Sequence, residues 1–380
     1  MNIEKIIEDA CRETNLDRFE QASYTEGLRV LTGEIGRNQS WPRSTRLMLE
    51  SLITALLVNR LKVEEYAFRR RELLNQPIER PVIVLGMPRT GTTLVSQLLG
   101  ADRTRRSLLH WEAIDSIPPP TSETMRTDPR CVALREQQVK LVKGDPSFGI
   151  IHWEFADEPT ECTMIHAQDF KSPVWSFTVP LPEYARWVLE CDIRSAYQYE
   201  QKVLQILQSK TTGAWNLKMP SHALYVRQLL KTFPTARIVW THRDPYLTVA
   251  SACSLMRERH RGFRLAPDLG FIARETSFLV AEHVLRPMAV RDEVGEEAFY
   301  DLHYADLLRD PVRELRKLYD WLGDPFTEMT ESAIRQWLQT HPQGKFGRHR
   351  YSLDEFGLSI ERLRPLFDDY LGRFSIELEA

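Results

Sequence analysis

The chain has few cysteines, no long apolar run and almost no net charge, and each absence removes a class of function. Its five cysteines (Cys11, Cys131, Cys162, Cys191 and Cys253) show no C-x-x-C spacing, and pairing would leave one over. That pattern fits reduced thiols in a cytoplasmic protein better than a disulfide framework. The stretch Leu52 to Leu57 falls far short of the ~20 residues of a membrane span and is followed by Arg60 and Lys62. The first residues, MNIEKIIEDACRETN, mix charge with apolar residues at helical spacing. Neither a secretory signal nor a transmembrane segment is therefore expected. With 50 basic against 53 acidic residues the net charge is −3, so no general nucleic-acid or anionic-membrane partner is expected. No internal repeat or low-complexity linker divides the 380 residues, a length that suits one large α/β domain with an added helical segment.

One further absence is more informative because of where it falls. The segment Pro81 to Gly100, PVIVLGMPRTGTTLVSQLLG, runs from an apolar strand through a glycine-bounded loop into an amphipathic helix start. Gly86-Met87-Pro88-Arg89-Thr90-Gly91-Thr92-Thr93 has the glycine spacing of a Walker A loop, yet Thr92 stands where the lysine belongs. Backbone N–H groups and the helix N-terminus can still cradle a phosphate. Arg89 supplies a bidentate cation, and Thr90, Thr92 and Thr93 supply hydroxyls. An ordinary βα turn with capping threonines is the plainer alternative, but strand, two glycines, cation, hydroxyls and helix occurring in order favour the cradle.

Residues 1–78 read as a helical N-terminal segment packed on the core, and 79–380 as an α/β domain with a helical insertion at about 118–210. Further β-runs span Ala214 to Leu217, Ala236 to Thr241 and Ala298 to Leu302, each followed by a helical pattern. This alternation predicts a P-loop-type parallel sheet flanked by helices, with ligands at the strand ends. At the third strand end, Asp244 is a good N-cap and Pro245 a good first helical residue. Arg243 just before them is unfavourable to the helix dipole unless an anion joins it. Ser251, eight residues on, is placed to share that anion.

Two anion sites at neighbouring strand ends resemble the sulfotransferases that use 3′-phosphoadenosine 5′-phosphosulfate (PAPS). Pro88-Arg89-Thr90-Gly91-Thr92-Thr93 matches that family's P-[KR]-[ST]-G-T-[ST] loop, and Arg243 with Ser251 matches its second motif. Leu217-Lys218-Met219-Pro220-Ser221-His222 resembles its L-K-x-P-x-H segment. Trp111-Glu112, Glu158-Pro159-Thr160-Glu161-Cys162, Thr241 to Pro245 and His349 to Leu358 resemble runs in a bacterial branch that includes mycobacterial members. The resemblance covers about residues 80 to 375. It implies PAPS as donor, with adenosine 3′,5′-bisphosphate as product. The 5′-phosphosulfate would lie in the first loop, on Arg89, Thr90, Gly91, Thr92 and Thr93, and the 3′-phosphate on Arg243 and Ser251. Arg348, His349 and Arg350 would add contacts from a late loop, a run that elsewhere would read as a solvated basic segment.

Sulfuryl transfer needs a base for the acceptor hydroxyl and cations where charge builds on the bridging oxygen. Glu112 is the first choice of base, with His222 and His110 as rivals; a helix-surface or salt-bridged carboxylate and a helix-cap or packing histidine are the plain readings of the first two. Arg89 and Lys218 are the expected cations. No metal is expected. Tyr304 and Asp306 resemble a Y-x-D-L segment of the family. The aromatics His152, Trp153, Phe170, Trp175 and Phe177 of the insertion are either core or cover for an apolar acceptor. The expected acceptor is a hydroxyl of a small molecule or of a lipid or glycolipid, and the N-terminal helices leave room for a homodimer or a lid. A P-loop kinase, needing magnesium and ATP, and a nucleotide-binding protein without turnover are the alternatives.

Overall fold

The computed structural model describes residues 1–19, 22–144, 154–341 and 351–379. Five strands form one sheet: β1 (Val82–Gly86), β2 (Arg106–Ser107), β3 (Trp215–Lys218), β4 (Arg237–His242) and β5 (Phe299–His303), in the order β2-β3-β1-β4-β5. Every pairing is parallel. β1 is buried at every residue, as a central strand covered on both faces must be, and this is why its sequence is a continuous apolar run rather than an alternation. The four β-runs read from the sequence fall within a residue or two of β1, β3, β4 and β5. β2 was not foreseen, because two residues carry no periodic signal.

All strand ends bearing motifs lie on one edge of the sheet. From β1 the chain passes through the loop into the helix Thr92–Ala101. From β4 it passes into the helix Pro245–Gly262, whose N-cap Asp244 accepts from Tyr246 N at 2.8 Å and Leu247 N at 3.3 Å, as the Asp-Pro pair predicts.

The N-terminal helices Ile3–Thr14, Tyr24–Arg37 and Arg43–Arg69 bury Ile6, Leu28, Leu31 and Leu57 in one cluster with Phe170, Trp175, Leu181 and Tyr184 of the insertion. Phe170 and Trp175 are therefore core residues. The insertion contributes the helices Pro129–Gly144, Thr163–Ala167, Val174–Thr178, Pro182–Glu190 and Arg194–Gln208. Buried ion pairs join the two regions: Arg60 meets Asp169 at 3.0 Å, and Glu64 meets Lys202 at 2.7 Å. Buried charges tolerate this setting only because each is paired, so the pairs fix the register of insertion against N-terminal helices. No helix among the described residues is long and apolar enough to cross a membrane.

Candidate active site

A cavity of about 230 Å³ opens where the strand ends converge. Its floor comes from Pro88, Arg89, Gly91, Thr92 and Thr93 after β1, Pro220 and Ser221 after β3, Arg243 after β4 and Tyr304 after β5. Its far wall is Pro173, Val174 and Phe177 of the insertion with Leu255, Leu279 and Arg259. Phe177 thus covers the site, whereas Phe170 and Trp175 of the insertion are core.

Backbone geometry explains the two loop glycines. Gly86 has φ 144° and a Cβ there would meet Thr241 O at 2.7 Å; Gly91 has φ 87° and a Cβ would meet the Tyr304 ring at 2.6 Å. Only glycine combines these dihedrals with so close an approach. Gly91 is the N-cap of Thr92–Ala101 and offers no capping side chain, which leaves the first N–H groups of the helix aimed at whatever the loop holds. Arg89 itself is left-handed at φ 69°, a conformation costly for a side-chain-bearing residue and typical of ligand clamps.

The two expected anion sites are brought together. Arg89 Nε donates to Ser251 Oγ at 3.2 Å, and Arg243 Nη1 donates to Arg89 O at 2.9 Å. Arg243 also stacks on Tyr304, with Cζ 4.4 Å from the ring centroid. Its remaining donors grip the Glu379 carboxylate, Nε at 2.6 Å and Nη2 at 2.9 Å. Burial works against the charge on Arg243, yet Glu379 outweighs it and raises the pKa. A bidentate oxyanion is thus already what this guanidinium holds.

Lys218 ends β3 and is fully buried. Its Nζ lies 2.8 Å from Glu154, 3.1 Å from Glu161 and 3.4 Å from Thr93 Oγ1. Burial works against its charge; the two carboxylates reverse this and raise its pKa, so the side chain is a fixed cation behind the loop. Glu161 lines the cavity.

Three expectations need correction. Thr90 turns its hydroxyl inward, donating to Met87 O at 2.7 Å and meeting Thr241 Oγ1 at 2.6 Å; its side chain braces the loop, and only its backbone remains for a ligand. Glu112 is fully buried, caps its own short helix by accepting from Leu109 N at 3.1 Å, pairs with buried Arg106 and does not line the cavity. His222 is fully buried beneath the cavity, its Nδ1 2.9 Å from the Tyr197 hydroxyl. Burial pushes its pKa down to about 4. It sits 3.8 Å from Glu200, which His166 holds at 2.7 Å, and with Cys162 these side chains form a buried polar group that sequence spacing concealed. Rival His110 lies near Thr160 at 3.3 Å, and Asp306 pairs with Arg309 on the surface at 2.7 Å. Arg348, His349, Arg350, His152 and Trp153 lie outside the described residues.

Sequence reasoning missed Glu161 as a site residue and Arg259 altogether. Glu161 stood inside a run that resembled the family, which was a usable signal. Arg259 had only its helical register with Ser251 and Leu255, two turns and one turn earlier.

Parallel strands thus bring Arg89, Arg243 and a helix N-terminus to one cavity, with the buried Lys218 behind its loop, in an α/β protein. The chain belongs to the sulfotransferase family, whose profile matches residues 81–328, and it is a sulfotransferase. It is similar to the solved sulfotransferase STF9 from Mycobacterium avium, at 41% identity and TM-score 0.94, over 100% of this chain and 98% of that one. It is also similar to sulfotransferase STF1 from Mycobacterium tuberculosis H37Rv, at 26% identity and TM-score 0.86, over 97% and 99% of the two chains. Omega-hydroxy-beta-dihydromenaquinone-9 sulfotransferase Stf3 of Mycobacterium bovis is 25% identical over 319 residues, 81% of this chain and 79% of that protein.

Proposed function

We propose that this sulfotransferase takes its sulfuryl group from PAPS and places it on a hydroxyl of a small-molecule or lipid acceptor. The observation that carries the reading is Lys218, a buried cation beside Thr93 and behind a loop whose helix N-terminus is uncapped by any side chain. The cradle suits the donor: Gly91, Thr92, Thr93 and Arg89 for the 5′-phosphosulfate, Arg243 and Ser251 for the 3′-phosphate. The Glu379 carboxylate on Arg243 supports an oxyanion at that place. The donor supplies an activated sulfuryl group and, as leaving group, a bisphosphate that needs no proton.

The protein's own groups do the rest. Lys218 and Arg89 hold positive charge where the bridging oxygen becomes anionic, an interaction stronger in the transition state than in the ground state. Glu161 replaces Glu112 as the base: it lines the cavity and receives the acceptor proton as the hydroxyl oxygen bonds to sulfur and the sulfur–oxygen bridge opens. Phe177, Leu255 and Leu279 exclude water and seat an apolar acceptor body. The name of the Mycobacterium bovis relative, a lipid-quinone hydroxyl sulfotransferase, supports an acceptor of this kind. Five unpaired cysteines support a reducing, cytoplasmic setting.

Calorimetry in the presence of a chelator tests the donor site. Adenosine 3′,5′-bisphosphate is expected to bind, and Arg243→Ala to weaken it about 10–100-fold, as loss of a charge-assisted pair does, while adenosine 5′-phosphate changes little. Equal losses for both ligands would remove the 3′-phosphate from Arg243, and binding only of ATP with magnesium would favour the kinase alternative.

A further inference from the structure

Among the described residues, Arg259 is the cavity-lining cation whose role the donor does not explain. It lies on the helix Pro245–Gly262 in line with Ser251 and Leu255 at intervals of four, so it stands ~12 Å along the axis from Ser251. Its surroundings are Phe177, with Cζ 6.0 Å from the ring centroid, and the apolar wall of Val174 and Leu279. Its Nε is sealed from solvent and has no hydrogen-bond partner, and no ion pair holds its guanidinium among the described residues. Glu161 and Glu154 act on it through space only, and less strongly than burial, which lowers its pKa. The neighbouring His283 adds no charge: its Nδ1 donates to Leu279 O at 2.7 Å, and burial takes its pKa down to about 4.

A buried guanidinium donor left unmatched costs free energy unless something binds it. On the reading above, the donor's negative charge meets Arg89, Arg243 and a helix N-terminus, with Lys218 behind the loop held by Glu154 and Glu161. The unmatched fork at the acceptor end is therefore complementary to a second anion.

We propose that Arg259 recognises the acceptor, and that the acceptor carries a carboxylate close to the hydroxyl that is sulfated, on a compact apolar or aromatic body. This rests on the sulfuryl-transfer reading above. Bidentate pairing with Arg259 would orient the acceptor so that its hydroxyl faces Glu161. Arg259 is in these terms a specificity residue: it contacts the acceptor's carboxylate and none of the reacting atoms.

The test uses phenols bearing a carboxylate (hydroxybenzoate, hydroxyphenylacetate and hydroxyphenylpropionate) against their methyl esters, with PAPS as donor and, for binding, with adenosine 3′,5′-bisphosphate present. Wild type is expected to bind and turn over at least one acid with a Kd and KM about tenfold or more below those of its ester. Arg259→Gln should erase that difference through losses confined to the acid, and Arg259→Lys should restore part of it. Acid and ester bound alike by wild type would overturn the proposal. So would a fall in kcat for both with Arg259→Gln, which would assign the residue to the sulfuryl oxygens. A fault in the sulfuryl-transfer reading itself would show separately, as failure to bind adenosine 3′,5′-bisphosphate or to release sulfate to any hydroxyl.

Discussion

The two ends of the cavity are built in different ways. The donor end rests on backbone: a five-residue buried strand, two glycines at φ 144° and 87°, a helix start without a capping side chain and an Asp-Pro cap that aligns the next helix. The acceptor end rests on side chains from elements far apart in the chain: Glu161 and Phe177 from the insertion, and Leu255, Arg259 and Leu279 from two later helices. Backbone-made sites tolerate little change in sequence, because each dihedral admits few residues. Side-chain-made sites can be altered one wall at a time, which suits an enzyme whose donor stays fixed while its acceptor varies.

Lys218 joins the two ends, so its loss should have the largest effect. Lys218→Met is expected to lower kcat by about 10²–10³, the usual consequence of removing a fixed charge aimed at the transition state, while the affinity for adenosine 3′,5′-bisphosphate stays within about tenfold. Radiolabelled sulfate transfer and calorimetry on the same preparation separate the two effects. Near-normal turnover would place the critical charge elsewhere.

Glu112 offers the reverse pattern. It belongs to neither end, so Glu112→Gln should leave turnover per folded molecule within about twofold, yet should destabilise by about 3–5 kcal/mol because Arg106 is left without its counter-charge. Urea unfolding reads the second quantity. A large fall in turnover at unchanged stability would return Glu112 to the reaction.

Acid should weaken both ends together, and more gently. His242 beneath the donor end, His222 beneath the centre and His283 in the acceptor wall are all pushed down to about 4 by burial, against 6.5 in the unfolded chain. Between those values the unfolded chain binds more protons than the native one, so stability is fully present above about pH 6.5 and declines as pH falls towards 4. Melting temperatures across that window should fall steadily, and a flat profile would mean that the imidazoles are solvated.

How much of this was legible follows the same division. The loop, the strand that feeds it, the helix that leaves it and the Arg243–Ser251 pair were readable because each is set by a few adjacent residues. The error over Glu112 came from treating nearness in sequence to the loop as nearness in space; a short helix turned that carboxylate inward onto Arg106. Thr90 was misread for a related reason, since its hydroxyl had a partner on β4 that no local pattern reveals. Glu161 and Arg259 acquire meaning only when Lys218, the insertion and the late helices are folded onto one cavity, and β2 was too short to register.

The central claim is that this cavity transfers a sulfuryl group held by backbone and fixed cations. Incubating the purified chain and a mixed panel of hydroxyl acceptors with sulfate-labelled PAPS in excess chelator tests it most directly. Labelled sulfate ester formed at a rate unaffected by the chelator is the result predicted. Absence of any labelled product, alongside magnesium-dependent transfer of the γ-phosphate of ATP to the same panel, would contradict it.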